Sequence, residues 1–272
     1  MFYSDYHIHS NISFDGNFDM EDIIKESINK GLKEIMFTEH LDYREHEYIL
    51  PLPNFSQYFS KYEKLREKYN NSIIIKKGLE LGLQPELKDK IEFQIKNLNF
   101  DFIIGSTHII NNVDFVDKVY FENKTKYEAY NEYFEEILES IELFNDFDVY
   151  GHLDFIKRYG IYENNEIDYD EHEKIIEKIL NELIKKGKGI EINTSGFKYG
   201  LNCFHPSVDI LKKYKKLGGK ILTIGSDAHH LIHLADNFEI VYNTLKELDY
   251  KTFTIFEKRN PIFKSIDEFK IK

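Results

Sequence analysis

The 272-residue chain predicts an α/β fold in which seven parallel strands, each followed by a helix, close into a barrel. Three observations predict it. Apolar runs of β type alternate with helical patterns along the whole chain. Strands separated by helices run parallel, because the helix carries the chain back to the starting edge, and such crossovers are right-handed. Each run also gives out in a polar residue: His7, His40, Glu80, His108, His152, Asn193 and Asp227. A doubly wound open sheet would use the same elements but spread those ends along a line at about 4.8 Å per strand, whereas a closed barrel gathers them at one mouth.

Boundary signals justify each element in turn. Phe2 to His7 reads as the first strand, with a helix from Met20 to Asn29 capped by Asp19 and stopped by Gly31. Glu34 to Thr38 is the second strand and SQYFSKYEKLREKY its helix. Ile73 to Glu80 follows, then a helix opened by Pro85, a favoured early position. Phe102 to His108 is the fourth strand, and the long helix Lys126 to Phe144 returns the chain. After the short fifth strand, Val149 to His152, a helix opens with Asp168 and Glu171 at capping-box spacing and ends at Gly187. Gly189 to Asn193 and Ile221 to Gly225 are the last strands, with helices at Pro206 to Leu217 and Asn237 to Leu248.

Composition fits one barrel. A 42% hydrophobic chain of this length can bury a single sizeable core, so residues 1–272 read as one domain. The lone Cys203 offers no disulfide and no cysteine cluster for a structural zinc. The start, MFYSDYHIHS, lacks a signal-peptide pattern, and no stretch offers about 18 uninterrupted apolar residues. A cytoplasmic protein without membrane contact is the expectation. The net charge of −12 repels a nucleic-acid backbone, which argues against DNA or RNA as a partner. No heptad or apolar stripe speaks to oligomeric state.

Imidazole is the commonest protein ligand for zinc-like and iron-like ions, so His7, His9, His40, His108, His152 and His229 point to a polynuclear metal centre. In DYHIHS, His7 and His9 leave the same face of a strand and can chelate one ion, with Ile8 turned away. In isolation such a pair is more often two half-buried histidines. In GSDAHH, Asp227 and His229 follow a Gly-Ser turn, and the adjacent His230 points elsewhere. In TEHLD, His40 is favoured over Glu39 and Asp42 to reach the mouth. His46, His172 and His233 read as surface or packing residues, His172 on a polar helix face.

Taken in order, DYHIHS, SFDG with Asp15, TEHLD, GLELG, GSTHII, GHLD, EINTSG and GSDAHH resemble the motifs of the polymerase and histidinol phosphatase (PHP) superfamily of metal-dependent phosphoesterases. The likeness covers nearly the whole chain. GHLDFIKRYG and EINTSGFKYG are most similar to segments of the histidinol-phosphate phosphatases of the histidine pathway. The resemblance implies a distorted (β/α)7 TIM-like barrel with the metal site at the C-terminal ends of its strands. It also implies three divalent ions (zinc, iron or manganese). On matching positions the first would take His7, His9, Glu80 and Asp227; the second Glu80, His108 and His152; the third Asp15, His40 and His229. Arg158, Lys198 and Ser195 would bind phosphate, though the compared phosphatases carry arginine near Lys198, and lysine offers a point charge rather than a fork.

The expected reaction is hydrolysis of L-histidinol phosphate, a small phosphomonoester. Three divalent ions against Asp15, Glu80 and Asp227 leave a surplus of about three positive charges, which suits a phosphate dianion. Metal binding lowers the pKa of water toward roughly 7, so a metal-bridging hydroxide would attack phosphorus without a phosphoenzyme. The proton donor for the leaving alcohol is open among Asp42, Asp154 and His205; Asp154 could instead orient His152, His205 cap a helix, and Asp42 pair with Arg44. For Arg158 the plain alternative is a surface ion pair. Asp114 and Asp117, after His108, are candidate partners for the substrate amine. A PHP-type phosphodiesterase, a protein-tyrosine phosphatase and a non-catalytic metal-binding module are the other readings.

Overall fold

A computed structural model describes residues 4–43 and 52–268. In chain order the elements are β1 (Ser4–Ile8), α1 (Met20–Asn29), β2 (Glu34–Leu41), α2 (Phe55–Tyr69), β3 (Ile74–Gly82), α3 (Lys88–Ile95), β4 (Phe102–Ser106), a small hairpin of β5 (Ile109–Ile110) and β6 (Val113–Asp114), α4 (Lys126–Leu143), β7 (Val149–Tyr150), α5 (Tyr169–Lys185), β8 (Gly189–Asn193), α6 (Ser195–Lys198), α7 (Val208–Lys216), β9 (Leu222–Gly225), α8 (Phe238–Glu247) and a terminal hairpin of β10 (Thr252–Glu257) and β11 (Asn260–Ser265). The seven-stranded sheet is parallel throughout, in the order β1-β2-β3-β4-β7-β8-β9.

The two edges of that sheet meet. Ile8 pairs with Ala228 just past β9; the His9 N–H donates to the Ala228 carbonyl at 3.0 Å, and the Ala228 N–H donates to the His7 carbonyl at 3.3 Å. Asp5 fastens the seam by accepting from the backbone N–H of Ser226 and of Ala235, each at 2.9 Å, and from the Ser226 hydroxyl. The result is a nearly closed barrel, with its strand order following the chain.

Local chemistry sets most boundaries as the sequence predicts. Asp19 accepts from the Glu21 N–H to cap α1, and Asn54 caps α2. Pro85 opens a short 3-10 turn, with α3 beginning only at Lys88. Asp168 caps α5 by itself, accepting from Asp170 and Glu171; a reciprocal capping box forms instead at Thr125 and Glu128, ahead of α4. Large aromatics fill the layer between sheet and helices: Tyr58, Tyr130, Tyr133 and Phe134 are fully buried. Buried Tyr58 satisfies its hydroxyl on the carbonyls of Phe37 and Gly78. No described helix is long and apolar enough to cross a membrane.

Two features depart from the expectation. His172 does not lie on a polar face: it is buried on α5, stacked on Tyr127 at 5.2 Å and beside Phe134. It heads the stripe His172, Ile176, Ile179, Leu180 and Leu183, so helical spacing puts it inside. The β10–β11 hairpin lies beyond the last predicted helix and covers the N-terminal end of the barrel. There the Tyr6 hydroxyl receives the Phe256 N–H at 2.8 Å, Phe256 packs on Phe102, and Arg259 binds Asp146 and Asp148. His46, Arg44 and the first residues of the expected opening strand fall outside the described residues.

One strained group yields a stability prediction. Glu136 on α4 is half-buried; burial first, then the like charges of Glu86, Glu139 and Glu132, push its carboxyl up to about 7. Because its folded pKa lies above its unfolded value, stability is lost as pH rises from the ordinary carboxylate range through about 7. Glu136→Gln should melt about 2 °C or more above the parent at pH 8, with the gap closing below about pH 4.5. Thermal scans at both pH values check it, and equal melting at pH 8 refutes it.

Candidate metal centre and substrate pocket

Every strand of the barrel delivers a polar side chain to one end. His7 lies within β1 with His9 just past it, His40 near the end of β2 and Glu80 near the end of β3. His108, His152 and Asp227 each sit two residues beyond β4, β7 and β9, and Asn193 ends β8. His152 and Asp227 adopt positive φ, +21° and +54°, which re-aims them after their short strands. Asp15 comes from the loop after β1, braced by Glu39: the hydroxyls and N–H groups of Ser10 and Ser13 all donate to that carboxylate. Burial pushes Glu39 up to about 7 against those bonds, and it faces the loop rather than the mouth.

Glu80 is the centre of the cluster. Its Oε2 lies 3.1 Å from His7 Nε2, 3.4 Å from His9 Nε2 and 3.0 Å from His40 Nδ1. Its Oε1 lies 2.9 Å from His152 Nε2 and 3.3 Å from His108 Nε2. One carboxylate thus faces two separate groups of imidazoles, the placement a bridging ligand needs. Asp227 Oδ1 is 3.9 Å from His7 Nε2 and 3.6 Å from His9 Nε2, while Asp15 Oδ2 is 3.0 Å from His229 Nε2 and 3.5 Å from His40 Nε2. All nine residues expected as ligands therefore come together. The tightest groups are His9, His40 and His229; His7, Glu80 and His152; His7, His9 and Asp227; and His40, Glu80 and His108. His40 thus reaches two neighbourhoods, a wider reach than a strict three-way partition gives it.

The donor set fits divalent ions. His7 Nε2, His9 Nε2, His40 Nδ1 and Glu80 Oε2 are buried without a hydrogen-bond partner, although all four converge. Unpaired buried polar atoms are costly, and a shared cation would satisfy them together. Electrostatics points the same way. Burial opposes charge on Glu80, yet His7, His40 and His108 outweigh it and hold the carboxyl well below its usual range. Burial, then His40, His229 and His7, hold His9 well below the usual imidazole range, in the neutral form that ligates metal.

Around the cluster stand the groups suited to an anion. Arg158 lines the pocket, 5% exposed at its side chain, with its guanidinium 4.4 Å over the Phe155 ring and 4.2 Å over that of Tyr199. It donates to Ser195 Oγ and lies 3.5 Å from Asp227 Oδ2, which is no surface ion pair. Ser195 gives its own proton to Asn193 Oδ1. Lys198 donates to the Asp227 carbonyl at 2.7 Å and does not reach into the pocket. Asp114 lines the pocket, while Asp117 is exposed outside it.

The three proton-donor candidates separate. Asp42 lines the pocket but faces His108 Nδ1 at 3.0 Å and His40 Nδ1 at 3.2 Å; these rings outweigh its burial and hold it well below the carboxylate range. Asp154 does not turn to His152. It is fully buried and bound to His205 Nδ1, the Ser207 N–H and Lys157. Neither Asp154 nor His205 lines the pocket. His230 is turned out and caps a short turn through Ile232, as its neighbour position predicts. The sequence reasoning missed Glu191, fully buried, whose Oε1 lies 2.7 Å from His7 Nδ1. Its signal was present in GIEIN, where Glu191 and Asn193 share one strand face.

Known proteins are similar to this chain in sequence and fold. A family model described as the PHP domain matches residues 5–195. The histidinol-phosphatase of Lactococcus lactis is 37% identical over 228 residues, covering 83% of each chain, and a probable histidinol-phosphatase of Clostridium acetobutylicum is 30% identical over 258 residues, covering 94% of this chain and 97% of the relative. A crystal structure of the Lactococcus lactis histidinol phosphate phosphatase, complexed with zinc, L-histidinol and phosphate, superposes with a TM-score of 0.86 at 31% identity over 96% of this chain and 98% of that one. The matched span carries seven of the nine clustered ligands, all but Asp227 and His229 in the turn after β9, so the chain belongs to the PHP domain family.

Proposed function

We propose that this chain, acting as one barrel domain, is a metal-dependent histidinol-phosphatase that hydrolyses L-histidinol phosphate to L-histidinol and phosphate in histidine biosynthesis. The observation that carries it is one pocket in which a buried guanidinium, Arg158, stands beside a carboxylate and imidazole cluster. The Lactococcus lactis protein, alike over nearly its whole length, holds zinc, L-histidinol and phosphate. A small phosphomonoester is the substrate, and a net charge of −12 disfavours nucleic acid. The single cysteine suits a cytoplasmic setting.

Three divalent ions, of zinc, iron or manganese, would be held by His7, His9, Glu80 and Asp227; by Glu80, His108 and His152; and by Asp15, His40 and His229. Such ions neutralise phosphoryl oxygens and acidify water. The chain's own groups do the rest. Arg158, pinned between two rings and Ser195, offers donors to phosphate oxygens and fixes the phosphorus for in-line attack. Among the described residues no serine, threonine or cysteine lines the pocket, and its histidines belong to the ligand cluster, so water is taken as the nucleophile. Phe155, Tyr159 and Tyr199 shield the reacting centre, and Asp114 across the pocket offers a carboxylate to the cationic leaving group.

Hydrolysis in oxygen-18 water should put one label in the released phosphate; unlabelled phosphate refutes direct attack. His9→Ala and Glu80→Ala should each abolish turnover and lower bound metal. Arg158→Ala should keep its metal and lose about 1.5–3 kcal/mol of transition-state binding, roughly 10- to 150-fold in kcat/KM; unchanged kinetics would remove Arg158 from the site. Burial disfavours charge on His7, His40 and His108, but the surrounding carboxylates raise all three, His108 to about 10. Those rings must shed protons to ligate, so zinc affinity should strengthen as pH rises from about 6 towards 9, with proton release in calorimetry. Histidinol phosphate against bis-p-nitrophenyl phosphate, on one metal-replete preparation, tests the monoester assignment.

A further inference from the structure

Glu191 occupies a place that neither the ligand set nor the anion-binding groups account for. It is a fully buried carboxylate on β8, and no lysine or arginine among the described residues forms an ion pair with it. Three donors converge on its two oxygens instead. His7 Nδ1 lies 2.7 Å from Oε1; the backbone N–H of His152 lies 3.0 Å and Asn193 Nδ2 3.1 Å from Oε2. Two motif glycines make room for it. A Cβ at Gly225 would fall 2.4 Å from Glu191 Oε1, and one at Gly151 would fall 3.3 Å from Oε2 and 2.6 Å from Ser106 Oγ.

We infer that Glu191 is a positioning residue that serves both halves of the site: it accepts a hydrogen bond from the Nδ1–H of His7, so that Nε2 faces the ion, and through Asn193 and Ser195 it holds Arg158 at the pocket. The inference rests on the metal-dependent reading above. A neutral imidazole has one proton, and an acceptor at Nδ1 fixes which nitrogen is left to ligate. The His7 Nε2 so exposed is the atom left without a partner 3.1 Å from Glu80 Oε2. Beneath His152, whose φ is +21°, the same carboxylate ties down the backbone that aims its Nε2 at Glu80 Oε1.

The relay then runs outward. Asn193 donates to Glu191, its Oδ1 accepts the Ser195 hydroxyl, and Ser195 accepts from Arg158. Residues 191, 193 and 195 of GIEINTSG thus connect a metal ligand to the phosphate-binding guanidinium by successive hydrogen bonds. A carboxylate is required at the start of that relay. All three of its partners donate, whereas a glutamine amide presents an acceptor on one side and donors on the other.

Glu191→Gln and Glu191→Ala, compared with the parent, test this. In the parent, proton–nitrogen correlation of the His7 ring should show a downfield proton on Nδ1, with zinc or without it. Glu191→Gln should lose or shift that resonance and bind zinc about 10- to 100-fold more weakly in competition with a chromophoric chelator. Its melting temperature should stay close to the parent's, and Arg158-dependent KM should rise as kcat falls. A parent His7 protonated at Nε2 alone overturns the inference whatever the variants do. So does a Glu191→Gln protein with parental zinc affinity, or one whose loss of zinc merely follows unfolding while Glu191→Ala keeps its affinity. A parent that binds no divalent ion would sink the functional proposal instead, and the zinc-free spectrum would still decide the role of Glu191.

Discussion

The constraint on which everything else depends is closure of the sheet between its first and last strands. Without the Ile8–Ala228 bridge and the Asp5 contacts to Ser226 and Ala235, His7 and His9 would part from Asp227 and His229. Closure also makes the cluster expensive. It removes Glu80 and most of the imidazoles from water, a burden that an apolar barrel tolerates only where the charges find partners. The orphaned nitrogens around Glu80 show that side chains alone do not complete that pairing.

Much of this was legible in the sequence because the signal changes type at each strand end. An apolar run interrupted by His, Glu, Asn or Asp is a break in periodicity, and seven such breaks locate one mouth. The convergence of Glu80 with both imidazole groups follows from strand order together with closure. Glu191 was harder, since a polar residue inside a strand resembles solvent-facing alternation until closure turns that face inward. His172 was hidden by its charged neighbours in YDEHEKII, although its spacing to Ile176 and Ile179 matches the buried stripe. Asp154 was misdirected by sequence proximity to His152, because the positive φ at His152 breaks the strand geometry that would have kept them on one face. The terminal hairpin has strong alternation in TFTIFE, yet its destination at the foot of the barrel depends on distant Tyr6 and Asp148.

The site divides its labour by depth. Deepest are Glu191 and Asn193, an acid and an amide that hold His7 in place. Above them stand the imidazoles and carboxylates able to ligate ions, and at the entrance the guanidinium and aromatic rings. An acidic protein therefore presents a site for a phosphate dianion without a basic surface, because charge is concentrated where the ligands converge.

The terminal hairpin has a consequence for how the molecule is made. Tyr6 is anchored by Phe256, and β1, paired with β2 on one side, has its other edge covered only once β9 exists, so that edge stays an open template until residues 222–256 have left the ribosome. Such sequence-distant pairing is slow to form. Synthesis from the amino terminus thus leaves a half-ring whose exposed edge is open to other chains, and chaperone demand should be set by the interval between those two segments.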